Sequence, residues 1–126
     1  MGNKGGCNNL REHDFMLVKD LPLEIRMNTR FYDSLHTIAI SDVFVVKHRA
    51  KFMSVDVYSN ELGNLKKGFN YYGITIYTPE MAEELKKTFI GAKPTKSQNM
   101  IRDYEALMDI LDRAIDEQVY LVHLGI

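Results

Sequence analysis

Between Gly91 and Asn99 the chain reads Gly-Ala-Lys-Pro-Thr-Lys-Ser-Gln-Asn, a polar loop leading into a helix-periodic stretch. Lys93 and Lys96 stand immediately before that helix start, where the backbone carries about half a positive charge and unpaired N–H groups. Cations there are unfavourable unless an anion joins them, so with Thr95, Ser97, Asn99 and Arg102 they compose a candidate phosphate site. A solvated loop whose lysines extend into water is the plainer reading of the same residues. A second candidate is Phe69-Asn70-Tyr71-Tyr72-Gly73. If one face of this segment is core, the other exposes a tyrosine such as Tyr71, whose ring and hydroxyl suit a nucleobase or a protein partner. The plain alternative is a strand with one ring packed on a helix. Arg26 and Arg30, sharing a polar face with Asn28, offer a weaker anion contact.

Catalytic signatures are missing from the sequence: no phosphate-binding Gly-rich loop ending in Lys-Ser or Lys-Thr, no Gly-x-Ser-x-Gly, no His-Glu-x-x-His. The four histidines, His13, His36, His48 and His123, lie far apart, and none has a second metal ligand at helical or hairpin spacing. No metal or cofactor is expected. His123, inside an apolar terminal run, reads as a hydrogen-bonded structural histidine. Asp42 and Asp56 could share a proton across neighbouring strands, but a turn and a solvated position account for them more simply. The single cysteine, Cys7, lies in a Gly/Asn-rich leader with no base held beside it. Enzyme is therefore the weaker class. The basic runs Lys47-His48-Arg49-Ala50-Lys51 and Lys66-Lys67 are short enough to be solvated turns.

The elements that must position these groups follow from periodicity. Phe15–Val18 reads as a first strand, and Glu24–Tyr32 alternates apolar and polar residues as a half-buried strand does. The β-branched run Thr37–Ile40 and Val43–Val46, interrupted at Ser41-Asp42, predicts a central strand or two short ones. Lys51–Tyr58 alternates again, Ser59–Asn64 is a turn, and Phe69–Tyr77 predicts a further strand. The period then changes. Thr78-Pro79-Glu80 reads as an N-cap, a proline at the first helical position and an acid in the first turn. Met81, Ala82, Leu85, Phe89 and Ile90 share a face, and Gly91 is the stop. Thr95 and Gln98 have the spacing of a capping box. The second helix predicts a core face of Ile101, Tyr104, Met108, Leu111 and Ile115, flanked by Leu107 and Ala114, and Gln118–Ile126 predicts a closing strand. The fold class is α+β: an antiparallel sheet of about 4–6 strands, then two C-terminal helices and a short terminal strand. Residues 1–12 form a flexible leader and 13–126 a single α+β domain.

Composition bounds the reading. With 126 residues, 45% hydrophobic and 26% charged, the chain has globular composition and can bury a core without a metal or disulfide. One cysteine excludes an internal disulfide, and the leader lacks the apolar core of a signal peptide, so a cytoplasmic protein is the expectation. The chain begins Met-Gly, but Gly6 stands where a myristoylation site wants Ser or Thr. No apolar run reaches the roughly 18–20 residues that span a bilayer, so no membrane partner is expected. A net charge of -1 argues against sequence-independent nucleic-acid binding. It conceals an uneven distribution: the loop before the second helix is purely basic, whereas the helix carries Asp103, Glu105, Asp109, Asp112 and Asp116.

The run Tyr72-Gly73-Ile74-Thr75-Ile76-Tyr77-Thr78-Pro79-Glu80 leads into a two-helix unit, and the chain closes on Tyr120-Leu121-Val122-His123-Leu124-Gly125-Ile126. This layout, over about residues 24–126, resembles small proteins of phages that infect Gram-positive bacteria, in particular the Thoeris anti-defence sponge family. That resemblance implies a non-enzymatic homo-oligomer that sequesters cyclic ADP-ribose-like signals made by bacterial TIR enzymes, in pockets between protomers. Phe89, Lys96, Asn99, Arg102 and Arg113 are the positions here that could match an aromatic ring, the loop and the arginines of such a pocket. The residue-based reading meets it at the 91–99 loop. The leading expectation is a cytoplasmic, homo-oligomeric protein that binds a small nucleotide-like anion through Phe89, Lys93, Thr95, Lys96, Asn99, Arg102, Arg113 and Tyr71. The alternatives are a protein–protein inhibitor of a bacterial defence or host protein, and a small nucleotide-acting enzyme using Asp56 or a histidine.

Overall fold

A computed structural model describes residues 11–21 and 34–126. Its elements are β1 (Glu12–Val18), β2 (Ser34–Ser41), α1 (Asp42–Lys47), α2 (Arg49–Met53), β3 (Asp56–Ser59) and β4 (Leu65–Lys67). These are followed by β5 (Ile74–Tyr77), α3 (Pro79–Phe89), α4 (Gln98–Glu117) and β6 (Tyr120–Leu124). Among the described residues the strands form one six-stranded antiparallel sheet in the order β2-β1-β6-β5-β3-β4. The α+β class, the helical pair and the closing strand all stand as the periodicity predicts. Of the predicted leader 1–12, Arg11 and Glu12 are described and Glu12 already opens β1, so the domain starts one residue earlier than predicted; residues 1–10 and the predicted strand Glu24–Tyr32 lie outside the described residues.

The last strand occupies the middle of the sheet. β6 pairs with β1, placing His123 opposite Phe15, and with β5, placing His123 opposite Thr75. Strand side chains alternate between faces, so Phe15, Leu17, Thr75, Tyr77, Leu121 and His123 point together toward the helices. There they join Phe44, Phe52, Phe69, Leu85, Phe89, Leu107 and Leu111 in the main core. The odd positions out, Met16, Val18, Ile74, Ile76 and Val122, make a smaller cluster on the other face with Tyr58 and Tyr120 against it.

α3 starts as its sequence dictates: Thr78 Oγ accepts the Met81 N–H at 3.2 Å and Pro79 follows at the first helical position. It ends before Gly91, whose φ of +82° suits glycine. Ile90 lies past the helix and is exposed, outside the apolar face predicted for it. α4 is capped by Ser97, which accepts the Met100 N–H at 3.2 Å, and not by Thr95. Its buried face is Met100, Leu107, Ile110, Leu111 and Ala114: the predicted Leu111 and its flanks Leu107 and Ala114 are fully enclosed, while Tyr104, Met108 and Ile115 are only partly buried at the edge of that face. The predicted stripe has the right spacing, but α4 packs on both α3 and the sheet, which favours its flanking positions.

Three predicted strands are corrected. Val43–Val46 belongs to helix α1: Ser41 Oγ accepts the Phe44 N–H at 3.3 Å, and Phe44 and Val45 are buried while Val43 and Val46 are exposed. The cap and the burial of Phe44 outweigh the strand preference of the valines. Lys51–Tyr58 divides between α2 and β3, because Phe52 turns into the core where alternation would have put it outside. The predicted strand Phe69–Tyr77 is regular only from Ile74. Gly68 at φ +90° turns the chain just ahead of it, and residues 69–73 form a loop closed by the Gly73 N–H on the Asn70 carbonyl at 3.3 Å.

Candidate functional site

The end of α1, the loop after α3 and the first turn of α4 enclose a cavity of about 280 Å³. Its wall carries Lys47, His48, Lys93, Thr95, Lys96 and Ser97. Local structure dictates this convergence: α1 is only six residues long, so its terminal lysine and capping His48 reach the loop opposite. Lys93 is tied to Glu105 at 3.3 Å, whereas Lys47 and Lys96 have no acidic partner among the described residues. The His48 ring packs on Phe44 and Phe89 at centroid distances of 4.6 and 5.3 Å, and its buried Nε2 has no hydrogen-bond partner among the described residues. Burial, aided by the charges of Lys51 and Lys47, pulls His48 below the ordinary imidazole value. A bound anion would offset those lysine charges.

A neighbouring cavity of about 320 Å³ shares Ser97 and Met100 with the first. Glu12, Ser41, Asn99, Arg102 and Asp103 line it, with the Ser41 hydroxyl donating to Asp103 at 2.5 Å. Arg102 donates to Asn99 Oδ1 at 3.4 Å. The predicted ligand group is therefore divided. Lys93, Thr95 and Lys96 share the basic cavity, while Asn99 and Arg102 open on the adjoining one. Arg113 lies farther along α4 and pairs with Glu117 at 2.9 Å. Phe89 is fully buried and stacked on Phe44 with a ring-centroid distance of 5.9 Å, so its ring does not open on either cavity. Tyr71 belongs to a separate polar cluster. A third cavity, of about 420 Å³, carries Asp56, Glu80 and Glu84 against Lys67, which disfavours an anion. Asp56 there is an exposed partner of Lys67 at 3.7 Å and lies in a different place from Asp42.

The separate cluster is a chain of hydrogen bonds under the 69–73 loop. Thr75 Oγ and His123 Nδ1 are 3.2 Å apart, His123 Nε2 and His13 Nδ1 2.8 Å, and His13 Nε2 and Asp42 Oδ1 2.9 Å. The Tyr71 hydroxyl donates to the same Asp42 oxygen. Both imidazoles are fully buried and stacked with a centroid distance of 5.0 Å, and the Asp42 side chain is 24% exposed. Burial alone would raise the Asp42 carboxyl, but the hydrogen bonds from Tyr71 and His13, with the charges of His13 and Arg11, hold it below the usual range. The bond to Asp42, with burial, pushes the Tyr71 phenol up to about 12. Burial, with the charge of His13, drives His123 well below the ordinary imidazole value. His123 is thus a hydrogen-bonded structural histidine.

The sequence pointed to the 91–99 loop but not to Lys47 and His48, which it assigned to a solvated turn, nor to the pairing of His13 with His123. Their only signal was that each occupies a position of inward parity beside Phe15 or Leu121. Among the described residues no group of three or more His, Cys, Asp or Glu is placed to hold a metal, and no helix is long and apolar enough to cross a membrane. Comparison with known proteins finds no family profile, no curated relative and no solved structure that matches the chain.

Proposed function

We propose that the protein is a non-enzymatic binder that captures a small nucleotide-derived anion and holds it unchanged. One observation supports this reading above the others: Lys47, Lys93 and Lys96 converge from two segments on a cavity that also offers Thr95 and Ser97 hydroxyls at the start of a long helix. A concave site with converging cations and hydroxyls suits phosphate oxygens, through charge-assisted hydrogen bonds. Its volume of about 280 Å³ lies just below the roughly 300–1,000 Å³ of sites that enclose a whole drug-sized ligand. It therefore grips the phosphate end, and a second copy of the chain covers the remainder. The resemblance to the sponge family supplies the candidate: a cyclic ADP-ribose-like immune signal, sequestered in the host cytoplasm during phage infection. His13 has both nitrogens engaged inside the protein, so it does not supply a base for the enzyme reading.

The test is calorimetric titration with nucleoside phosphates and cyclic ADP-ribose, followed by heat denaturation and mass spectrometry of the released ligand. Micromolar binding and return of the intact molecule are expected. A cleaved product establishes the enzyme instead. Absence of any nucleotide binding, with a host protein co-purifying in stoichiometric amount, establishes the protein–protein inhibitor.

A further inference from the structure

The hydrogen-bond chain beneath the 69–73 loop has a direction. A carboxylate only accepts, so Asp42 takes its protons from His13 Nε2 and the Tyr71 hydroxyl. A neutral His13 then has a bare Nδ1, which must accept from His123 Nε2. His123 Nδ1 is bare in turn and accepts from the Thr75 hydroxyl, whose oxygen accepts the Asn70 N–H at 2.8 Å. Every N–H and O–H along the line has one acceptor, and Asp42 Oδ1 accepts two, with Asp42 ionised and both imidazoles neutral.

One added proton upsets this arrangement wherever it settles. On His123 it occupies Nδ1 directly. On His13 it occupies Nδ1, which turns the bond to His123 around and moves the His123 hydrogen to Nδ1. In both cases Thr75 Oγ faces two incoming donors, and its own hydrogen is left in a fully buried site with no acceptor among the described residues. Asp42 favours the charge on His13, the nearer ring, at 2.9 Å. The other groups facing the chain are Arg11 ahead of β1, Arg49 on α2, 5.5 Å over the Tyr71 ring, and Tyr72 beside it. Phe15 and Phe69 supply the apolar walls.

The chain also fastens the loop above it. Tyr71 is anchored on Asp42 and Asn70 on Thr75, and the same loop receives the Gly125 N–H on Gly73 O at 2.8 Å and the Ile126 N–H on Tyr71 O at 3.2 Å. We propose that Thr75, His123, His13, Asp42 and Tyr71 form a proton-operated latch: uptake of one proton by the histidine pair reverses the His13–His123 bond, strands the Thr75 hydroxyl and loosens the 69–73 loop and the chain end clamped to it.

The experiment is nitrogen NMR of ¹⁵N-histidine-labelled protein from pH 7.5 to 5, with amide exchange read alongside. His123 is expected to carry its hydrogen on Nε2 at high pH and on Nδ1 at low pH, with one midpoint shared with His13. Over the same range the protection factors of the Asn70, Gly125 and Ile126 amides fall roughly tenfold. Asp42→Asn lowers the shared midpoint by about one unit or more by removing the adjacent anion. Thr75→Ser keeps the tautomer switch, whereas Thr75→Val removes the Asn70 protection at every pH. Independent midpoints, a His123 hydrogen fixed on Nε2 throughout, or unfolding before either ring takes a proton would each overturn the latch.

Discussion

Replacing His123 by glutamine converts the buried histidine pair into a quantitative test of how the core handles protons. His123 is fully enclosed and held well below its ordinary value of 6.5, first by burial and then by the charge of His13. In the unfolded chain the same ring titrates normally. Below pH 6.5 the unfolded state therefore binds more protons than the folded state, and stability must fall as pH falls. Each pH unit in this window costs about 1.4 kcal/mol per excluded proton, so the fall between pH 7 and pH 5 is about 2 kcal/mol. The latch does not change the sign: the folded pair takes up one proton where two free histidines take two. Asp42 has the opposite kind of shift, and its contribution is lost only below its ordinary value of 3.8, outside this window. Urea unfolding of wild type and His123→Gln at pH 7, 6 and 5 measures the difference. The variant loses about 1–3 kcal/mol at pH 7 through its disrupted hydrogen bonds, but its stability falls by about 2 kcal/mol less on acidification. His48, also held low, contributes equally to both proteins and cancels. Parallel pH profiles for the two proteins would refute the claim that the fold keeps His123 neutral.

Three further outcomes follow from other parts of the structure. The double variant Lys47→Ala/Lys96→Ala removes the two lysines without acidic partners from the basic cavity and weakens a phosphate-bearing ligand by about 2 kcal/mol or more in calorimetry, whereas Arg113→Ala does not. Phe89→Ala costs about 3–5 kcal/mol of stability in urea unfolding, as expected of a core ring. Gly125→Ala lowers the melting temperature, because a Cβ there would lie 2.2 Å from the Tyr71 carbonyl oxygen and force the chain end off the 69–73 loop.

The helical half of the protein was legible because its signals are local. Thr78-Pro79-Glu80 and Gly91 bound α3 through contacts within one turn, so no tertiary information was required. The region 37–58 misled for the opposite reason. Val43, Val45 and Val46 carry strand propensity, and only the Ser41 cap and the burial of Phe44 against Phe89 turn them into a helix. Thr95 lost the α4 cap to Ser97 because both residue types cap well and a shift of two residues decides which hydroxyl meets a free N–H.

By itself the sequence determined the α+β class, the closing strand, the two long helices and the basic character of the loop before α4, all of which rest on neighbours in the chain. Tertiary structure decided which basic residues gather: Lys47 and His48 join Lys93 and Lys96 because α1 ends opposite the loop, while Arg102 lines the neighbouring cavity with Glu12 and Asp103. It alone decided the polar chain through the core. His13 and His123 stand 110 residues apart and meet because β6 inserts beside β1, a strand pairing that burial of two apolar sheet faces imposes and no local pattern records.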